Sequence, residues 1–297
     1  MRLKIWFLET RPQFLVLSVI LALLGTAIAG NEGHFDWLRF VLTTIGLVLA
    51  HASVNILNDY SDYKTGIDLE TMRTPFSGGS GILPAKLMQP ETAYKFGVGC
   101  LLVALLIGLY LTYVSGWLLL PLIILGGPVI YFYTSHLTKW LVGELWAGLG
   151  LGTLPVLGTY FVQTGHYSAG ALIASLAPGF LTANLLFLNE FPDVRADTKG
   201  GRFHLVIALG TKRAALLYAG LTAMAYLCIL GGVFSKLMPA LSLIGLLSIP
   251  LALKAIRITM KHHDNPQEMV PALKANVQTI LSTDALLALA YFLNSFR

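Results

Sequence analysis

The chain has 297 residues, of which 56% are hydrophobic and 12% charged, with a formal net charge of +5 and a mean hydropathy of +0.71. That balance excludes a soluble fold of one or two domains, because so much apolar surface finds its solvent in lipid. Nucleic-acid binding is excluded as well, since no basic stripe with interleaved aromatics accompanies the positive charge.

About nine apolar runs, each near the ~20 residues that cross a hydrocarbon core, predict membrane-spanning helices. In chain order they cover 12–30, 35–57, 92–113, 116–134, 140–163, 168–190, 213–234, 239–258 and 278–295. Barrel strands would be about half as long and would alternate with period two, so the expected fold is an all-α, multi-pass bundle. The first run starts after Arg11 and lacks a small-residue cleavage site, so it reads as a retained helix. Arg2, Lys4 and Arg11 precede the first run, and Lys64, Arg73, Lys86, Lys139, Arg195, Lys199, Arg202, Lys212 and Arg213 follow even-numbered ones. The alternate loops are almost bare of Lys and Arg. By the positive-inside rule the amino terminus is expected in the cytoplasm, in a protein of the cell's inner membrane.

Two acidic clusters interrupt the apolar pattern in matching places. The first is Asn55, Asn58, Asp59 and Asp62, with Asp68 beyond; the second is Asn189, Glu190, Asp193 and Asp197. Asn55, Asp59 and Asp62 share one helix face by spacing, and so do Asn189, Asp193 and Asp197 if the helix continues past Pro192. Each cluster ends an apolar run at the expected cytoplasmic surface, four runs apart, which suggests two similar halves facing a shared cavity. Asn and Asp at a solvated helix end are ordinary, but the paired positions point to more. They supply hard oxygen ligands that can hold Mg²⁺, and through it a diphosphate.

The loop after the first cluster carries Lys64 and Arg73, then Gly78, Gly79 and Gly81; Lys199 and Arg202 flank the second. These cations suit phosphate oxygens, and Arg can bind two at once. Anchoring at the membrane surface explains them equally well. Among the remaining polar positions, Glu144 could orient a second substrate or serve a structural pair. Asp284 could reach the cavity or belong to a helix-packing network with Ser282 and Thr283. Tyr131 and Tyr133 fit an aromatic belt better than a cation-stabilising role, and His51 reads as a polar cavity residue. Cys100 and Cys228 read as packing residues. The polar stretch 261–275 is expected at the membrane surface.

Asn58-Asp59-x-x-Asp62 with Asp68, together with Asp193-x-x-x-Asp197, resembles the two Asp-rich motifs of the UbiA superfamily of intramembrane prenyltransferases. The resemblance spans nearly the whole chain and implies a single transmembrane domain over 1–297 around a central cavity, with motif loops at 58–91 and 189–212. Gly66-Ile67-Asp68, Gly143-Glu144 and Leu157-Gly158-Thr159-Tyr160 look most like the branch that prenylates 1,4-dihydroxy-2-naphthoate in menaquinone synthesis. Phe203 and Ala208 depart from that pattern, standing where basic residues are expected. The resemblance implies Mg²⁺ held by Asp59, Asp62, Asp193 and Asp197, a polyprenyl diphosphate donor and an aromatic acceptor. It also implies substrate contacts from Asn55, Asn58, Lys64, Asp68, Arg73, Glu144, Asn189, Lys199 and Arg202. Other acceptors of this superfamily, 4-hydroxybenzoate, homogentisate or a glycerol phosphate lipid, remain open. A transporter fits less well, because the acidic residues gather at one surface and an anion carrier needs a cationic centre. A CDP-alcohol phosphotransferase lacks its dense Asp signature here.

Overall fold

The structure is a computed structural model that describes residues 2–71, 73–132, 141 and 143–297. Among these, eight helical stretches are long and apolar enough to cross a membrane, with a shorter apolar one at Trp117–Tyr131. The chain is therefore a multi-pass membrane protein. After a short surface helix α1 (Arg2–Glu9) come α2 (Pro12–Asn31), α3 (Trp37–Thr65), the single turn α4 (Ile67–Glu70) and α5 (Pro90–Ser115). A 3₁₀ turn leads into α6 (Leu120–Phe132). The fifth span is composite, with α7 (Gly143–Gly148), a π turn (Leu149–Thr153) and α8 (Leu154–Thr164). Then follow α9 (Ala169–Lys199), the short α10 (Leu205–Leu209), α11 (Thr211–Phe234), a 3₁₀ segment (Ala240–Ser248) continuing as α12 (Ile249–His262), and α13 (Pro266–Asn294).

The spans close into a ring. α2 packs on α3, α3 on α5 and α5 on α6, while α7 and the π turn pack on α9, α9 on α11, α11 on α12, α12 on α13, and α13 back on α2. The first and last spans are thus neighbours, and the Asn294 amide donates to Asn31 Oδ1 at 2.7 Å. With lipid as apolar as the core, association depends on close approach rather than on hydrophobicity, and small residues supply it. A Cβ at Gly25 would come 2.6 Å from the Val156 carbonyl, and one at Gly152 2.7 Å from Gly179 Cα and the Pro178 carbonyl. Buried amides add a clip: Asn184 Nδ2 donates to Thr222 Oγ1 at 2.8 Å, and Asn276 Nδ2 donates to the Asn184 carbonyl at 3.1 Å. Outward-facing Leu106, Tyr113, Trp117 and Leu118 are exposed, as lipid-facing side chains should be.

Three elements exceed the apolar runs that announced them. α3 runs on to Thr65, because Tyr60 and Tyr63 on its outer side pack against Ile82, Leu83 and their neighbours while the Asn/Asp side turns inward. α9 continues through Pro192 to Lys199. α13 begins at Pro266, an N1 proline behind an Asn265 cap, so much of the stretch expected at the membrane surface is helix. Met269, Ala272, Leu273 and Ala275 are buried there against Tyr218 and Ala255. Polar composition hid that helix start.

Candidate active site

The ends of α3 and α9 face each other across a cavity of about 200 Å³. Because α9 does not break at Pro192, Asn189, Asp193 and Asp197 stay on one face, opposite Asn55, Asn58 and Asp62. Gly66 closes α3 in the left-handed conformation, φ 80°, and turns the chain so that Asp68 of α4 returns to the same cavity. Asp59, Asp62, Asp68 and Asp197 are all buried.

Two arginines lie among these acids. Arg202 pairs with Asp62 and, at 3.2 Å, with Asp197, so it joins the two clusters. Arg11 pairs with Asp59 and donates to Asn58 Oδ1 at 3.2 Å. Arg11 precedes Pro12 in a left-handed conformation, φ 52°, at the break between α1 and α2. Burial opposes its charge, but Asp59 and Asp68 outweigh that and raise its pKa above the ordinary arginine value. Burial, aided by Asp59, pushes the Glu9 carboxyl up to about 8. Burial, with Asp59 and Asp62, pushes Asp68 up to about 7.

The glycine loop folds over the same carboxylates. The Ser80 N–H donates to Asp59 Oδ2 at 2.7 Å, and its hydroxyl donates to Glu9 Oε2 at 2.7 Å. A Cβ at Gly79, where φ is 71°, would lie 2.9 Å from Asp68 Oδ2, so only glycine lets the backbone pass so near the acid.

Of Lys64, Arg73, Lys199 and Arg202, the cations picked out in the sequence for phosphate, only Arg202 lines the cavity among the described residues. Lys64 reaches Glu91 at 3.3 Å on the surface, and Lys199 pairs with exposed Glu70 at 2.6 Å. Arg73 curls onto its own loop, donating to the carbonyls of Gly78 at 3.2 Å, Gly79 at 3.4 Å and Ser80. These three do not reach the cavity because neighbouring surface acids or loop carbonyls satisfy them first. Glu144 is buried and accepts the Leu205 N–H at 3.0 Å, but it is not among the residues lining the cavity. His51 lines the cavity and bonds to Ser18 at 2.9 Å, as a polar wall residue should. Asp284 is fully buried away from the cavity lining, beside the Ser248–Thr283 hydrogen bond. Exposed Tyr131 meets Tyr94 at 2.8 Å. Tyr133 and Lys139 lie outside the described residues. The sequence reading missed Glu9, Ser80 and His204, and counted Arg11 only as a topological charge; the Glu9-Thr10-Arg11-Pro12 step just before the first span was the available signal.

Asp68 Oδ2, Asn189 Oδ1 and Asp193 Oδ1 have no hydrogen-bond partner among the described residues, though all three residues line the cavity. Unpartnered buried oxygens in an acid-rich pocket are what a hard divalent cation satisfies, so this donor set fits Mg²⁺.

An acid-lined cavity at one end of a helical bundle, with apolar walls deeper in, defines a membrane protein built to hold a charged head with a greasy body. The chain matches the UbiA prenyltransferase family over residues 18–277 and belongs to it. It is thus a prenyltransferase. It is similar to the 1,4-dihydroxy-2-naphthoate octaprenyltransferase of Bacillus subtilis (strain 168), 28% identical over 97% of this chain and 92% of that one. The enzyme of the same name from Escherichia coli (strain K12) is 28% identical over 99% and 97%. Among solved structures, the apo UbiA homolog from Aeropyrum pernix K1 superposes with a TM-score of 0.72 at 16% identity, covering 93% of this chain and 97% of that one. A UbiA homolog from Archaeoglobus fulgidus bound to DMAPP and Mg²⁺ gives 0.63 at 15% identity, over 95% and 98%.

Proposed function

We propose that this enzyme transfers a polyprenyl group from its diphosphate to 1,4-dihydroxy-2-naphthoate, a step of menaquinone synthesis, at a Mg²⁺-dependent site opening on the cytoplasmic side of the inner membrane. The observation that carries this reading is the pair of acidic helix ends across one cavity, with unpartnered oxygens on Asp68, Asn189 and Asp193. The naphthoate acceptor is supported by the two bacterial relatives. Orientation is supported by the Lys and Arg distribution between loops. The whole chain, 1–297, acts as one domain.

Asp59, Asp62, Asp193 and Asp197 would hold Mg²⁺, with Asn55, Asn58, Asp68 and Asn189 beside them. Bound there, the metal supplies charge neutralisation for a diphosphate leaving group. Arg11 and Arg202 stand ready to exchange carboxylate partners for phosphate oxygens, and Ser80 closes the loop over the head group. Lys64 and Lys199 lie at the rim as surface charges, and Arg73 acts through the loop that it clamps. Deeper walls formed by Trp146, Ala147 and Leu151 keep water from the allylic carbon. There the C–O bond breaks with its electrons leaving on diphosphate, and ring π electrons form the new C–C bond. The acceptor's carboxylate then departs as carbon dioxide from the alkylated ring carbon, and the C–C bonding pair that it leaves returns to the ring and restores its aromaticity.

The test is a transfer assay with purified enzyme, labelled prenyl diphosphate, Mg²⁺ and an acceptor panel. Naphthoate should be prenylated, and EDTA should stop turnover. Asp59→Ala, Asp62→Ala, Asp193→Ala and Asp197→Ala should each lower the rate by orders of magnitude with insertion intact. Transfer to 4-hydroxybenzoate, homogentisate or a glycerol phosphate lipid, with none to naphthoate, would refute the acceptor and leave the donor site standing. Full activity in EDTA would remove the metal-held diphosphate.

A further inference from the structure

Beside the aspartates, and using other ligands, lies a group that the proposed reaction does not employ. We propose that Glu144, Glu190 and His204 form a binding site for a divalent transition-metal ion of the Zn²⁺ or Mn²⁺ kind.

One ligand atom from each of the three side chains lies within 4.8 Å of the others. The residues are 3%, 8% and 3% exposed, so all three are more than nine-tenths buried. Glu144 Oε2, Glu190 Oε2 and both ring nitrogens of His204 form no hydrogen bond among the described residues, the two nitrogens standing 3.3 Å from Glu190 and Asp197 without bonding geometry. Two buried carboxylates with spare oxygens and an imidazole with spare nitrogens are costly to leave unsatisfied. A bound cation satisfies them together.

The local geometry already holds the ligands in place. Glu144 opens α7, which the small residues Gly148, Gly152 and Gly179 bring close against α9, the helix that carries Glu190. The other Glu144 oxygen is fixed by the Leu205 N–H at 3.0 Å. His204 caps α10 in an extended conformation, with Nδ1 3.3 Å from Glu190 Oε2 and Nε2 3.3 Å from Asp197 Oδ2. With Nδ1 toward the cluster, Nε2–H faces Asp197, and a carboxylate behind a ligating histidine is the usual arrangement that orients the ring.

The donor set also argues for the kind of ion. Mg²⁺ prefers oxygen ligands in a near-octahedral shell and keeps its waters, whereas one imidazole with two carboxylates suits Zn²⁺ or Mn²⁺. Three protein ligands leave a coordination position open. Glu190 and His204 line the cavity, so the site borders it. The site rests on its own three side chains and does not depend on the naphthoate reading.

The probe is Co²⁺, titrated into detergent-purified, chelator-washed protein in excess Mg²⁺, with binding followed by its visible absorption. The expected result is one Co²⁺ per chain. His204→Ala, Glu144→Gln and Glu190→Gln should weaken it about tenfold or more, whereas Asp59→Asn and Asp193→Asn should retain it. Wild-type protein loaded with Mn²⁺ should show nitrogen coupling from one imidazole by pulsed electron paramagnetic resonance, a readout that needs no variant to fold. Absence of Co²⁺ binding, or of that coupling, would mean that the three groups share protons instead, and the proposal falls. It falls too if the aspartate variants lose Co²⁺ and the His204 variant keeps it. A failed prenyl-transfer assay would leave these results untouched.

Discussion

Arg11 and Arg202 occupy positions that no surface lysine could fill, since Arg202 bridges Asp62 and Asp197, and Arg11 holds Asp59 and the Asn58 amide oxygen, where the fold has removed the carboxylates from water. Removing one partner of a buried ion pair costs about 3–5 kcal/mol, mostly through the charge left behind. Arg11→Ala should therefore lower both the melting temperature and the affinity for prenyl diphosphate. Arg73→Ala should chiefly loosen its loop, seen as faster proteolysis within 73–81, with a smaller loss of donor affinity measured by equilibrium binding. Equal donor losses in the two variants would return Arg73 to the phosphate site. Glu9 gives a pH signature. Its carboxyl rises from 4.5 to about 8 in the folded chain. A raised acid pKa contributes stability that is full below 4.5 and is lost as pH climbs through about 8. The metal-free protein should thus melt at a lower temperature near pH 8 than near pH 4.5, the two ends of that window. Glu9→Gln, which keeps an acceptor for the Ser80 hydroxyl, should flatten that slope in a melting series.

At the scale of elements, the spans were legible because lipid contact demands long apolar runs, and the two inner faces because Asn and Asp recur at helical spacing. Apolarity marks where a helix meets lipid and not where its hydrogen bonds end. α3, α9 and α13 therefore outrun their apolar segments wherever one side is buried in protein. The site was half legible. Asp59, Asp62, Asp193 and Asp197 announce themselves in pairs, but Lys64, Arg73, Lys199 and Arg202 look alike in sequence. Only Arg202 meets acids from both halves, 140 residues from Asp62. His204 could not be read, because it is the turn after α9, and no spacing in the sequence, that brings it back to 3.3 Å from Glu190 and Asp197. The π turn and its glycines have a consequence of their own. A Cβ at Gly152 would meet the backbone of Gly179 and Pro178, which cannot give way as a side-chain tip can. Gly152→Ala should destabilise by about 1–3 kcal/mol, as overpacking does, and should lower turnover by displacing α7 against α9. Thermal unfolding in detergent checks the first, and the transfer assay the second.

For the whole molecule, the ring of spans puts both acidic helix ends at one membrane face and leaves the other face to loops such as 32–36 and 235–239. Site-directed labelling tests which face is which. In whole cells, a thiol-reactive reagent that cannot cross the membrane should modify Ser235→Cys but not Thr198→Cys, with the pattern reversed in inside-out vesicles. Labelling at Thr198→Cys from outside would invert the topology while leaving the fold as it is.

The contact between α2 and α13 sets an order of events in biosynthesis. Asp62 is made early, yet the cavity that it lines has no wall on the far side until α9 arrives, and the ring has no seam until α13 meets α2. Until then a nascent chain carries a row of acids and an open cleft that lipid cannot solvate. The helix that meets α2 is therefore the one that commits each copy to a private cavity, and a chain stopped before Pro266 should be held by quality-control proteases rather than accumulate as a slower enzyme.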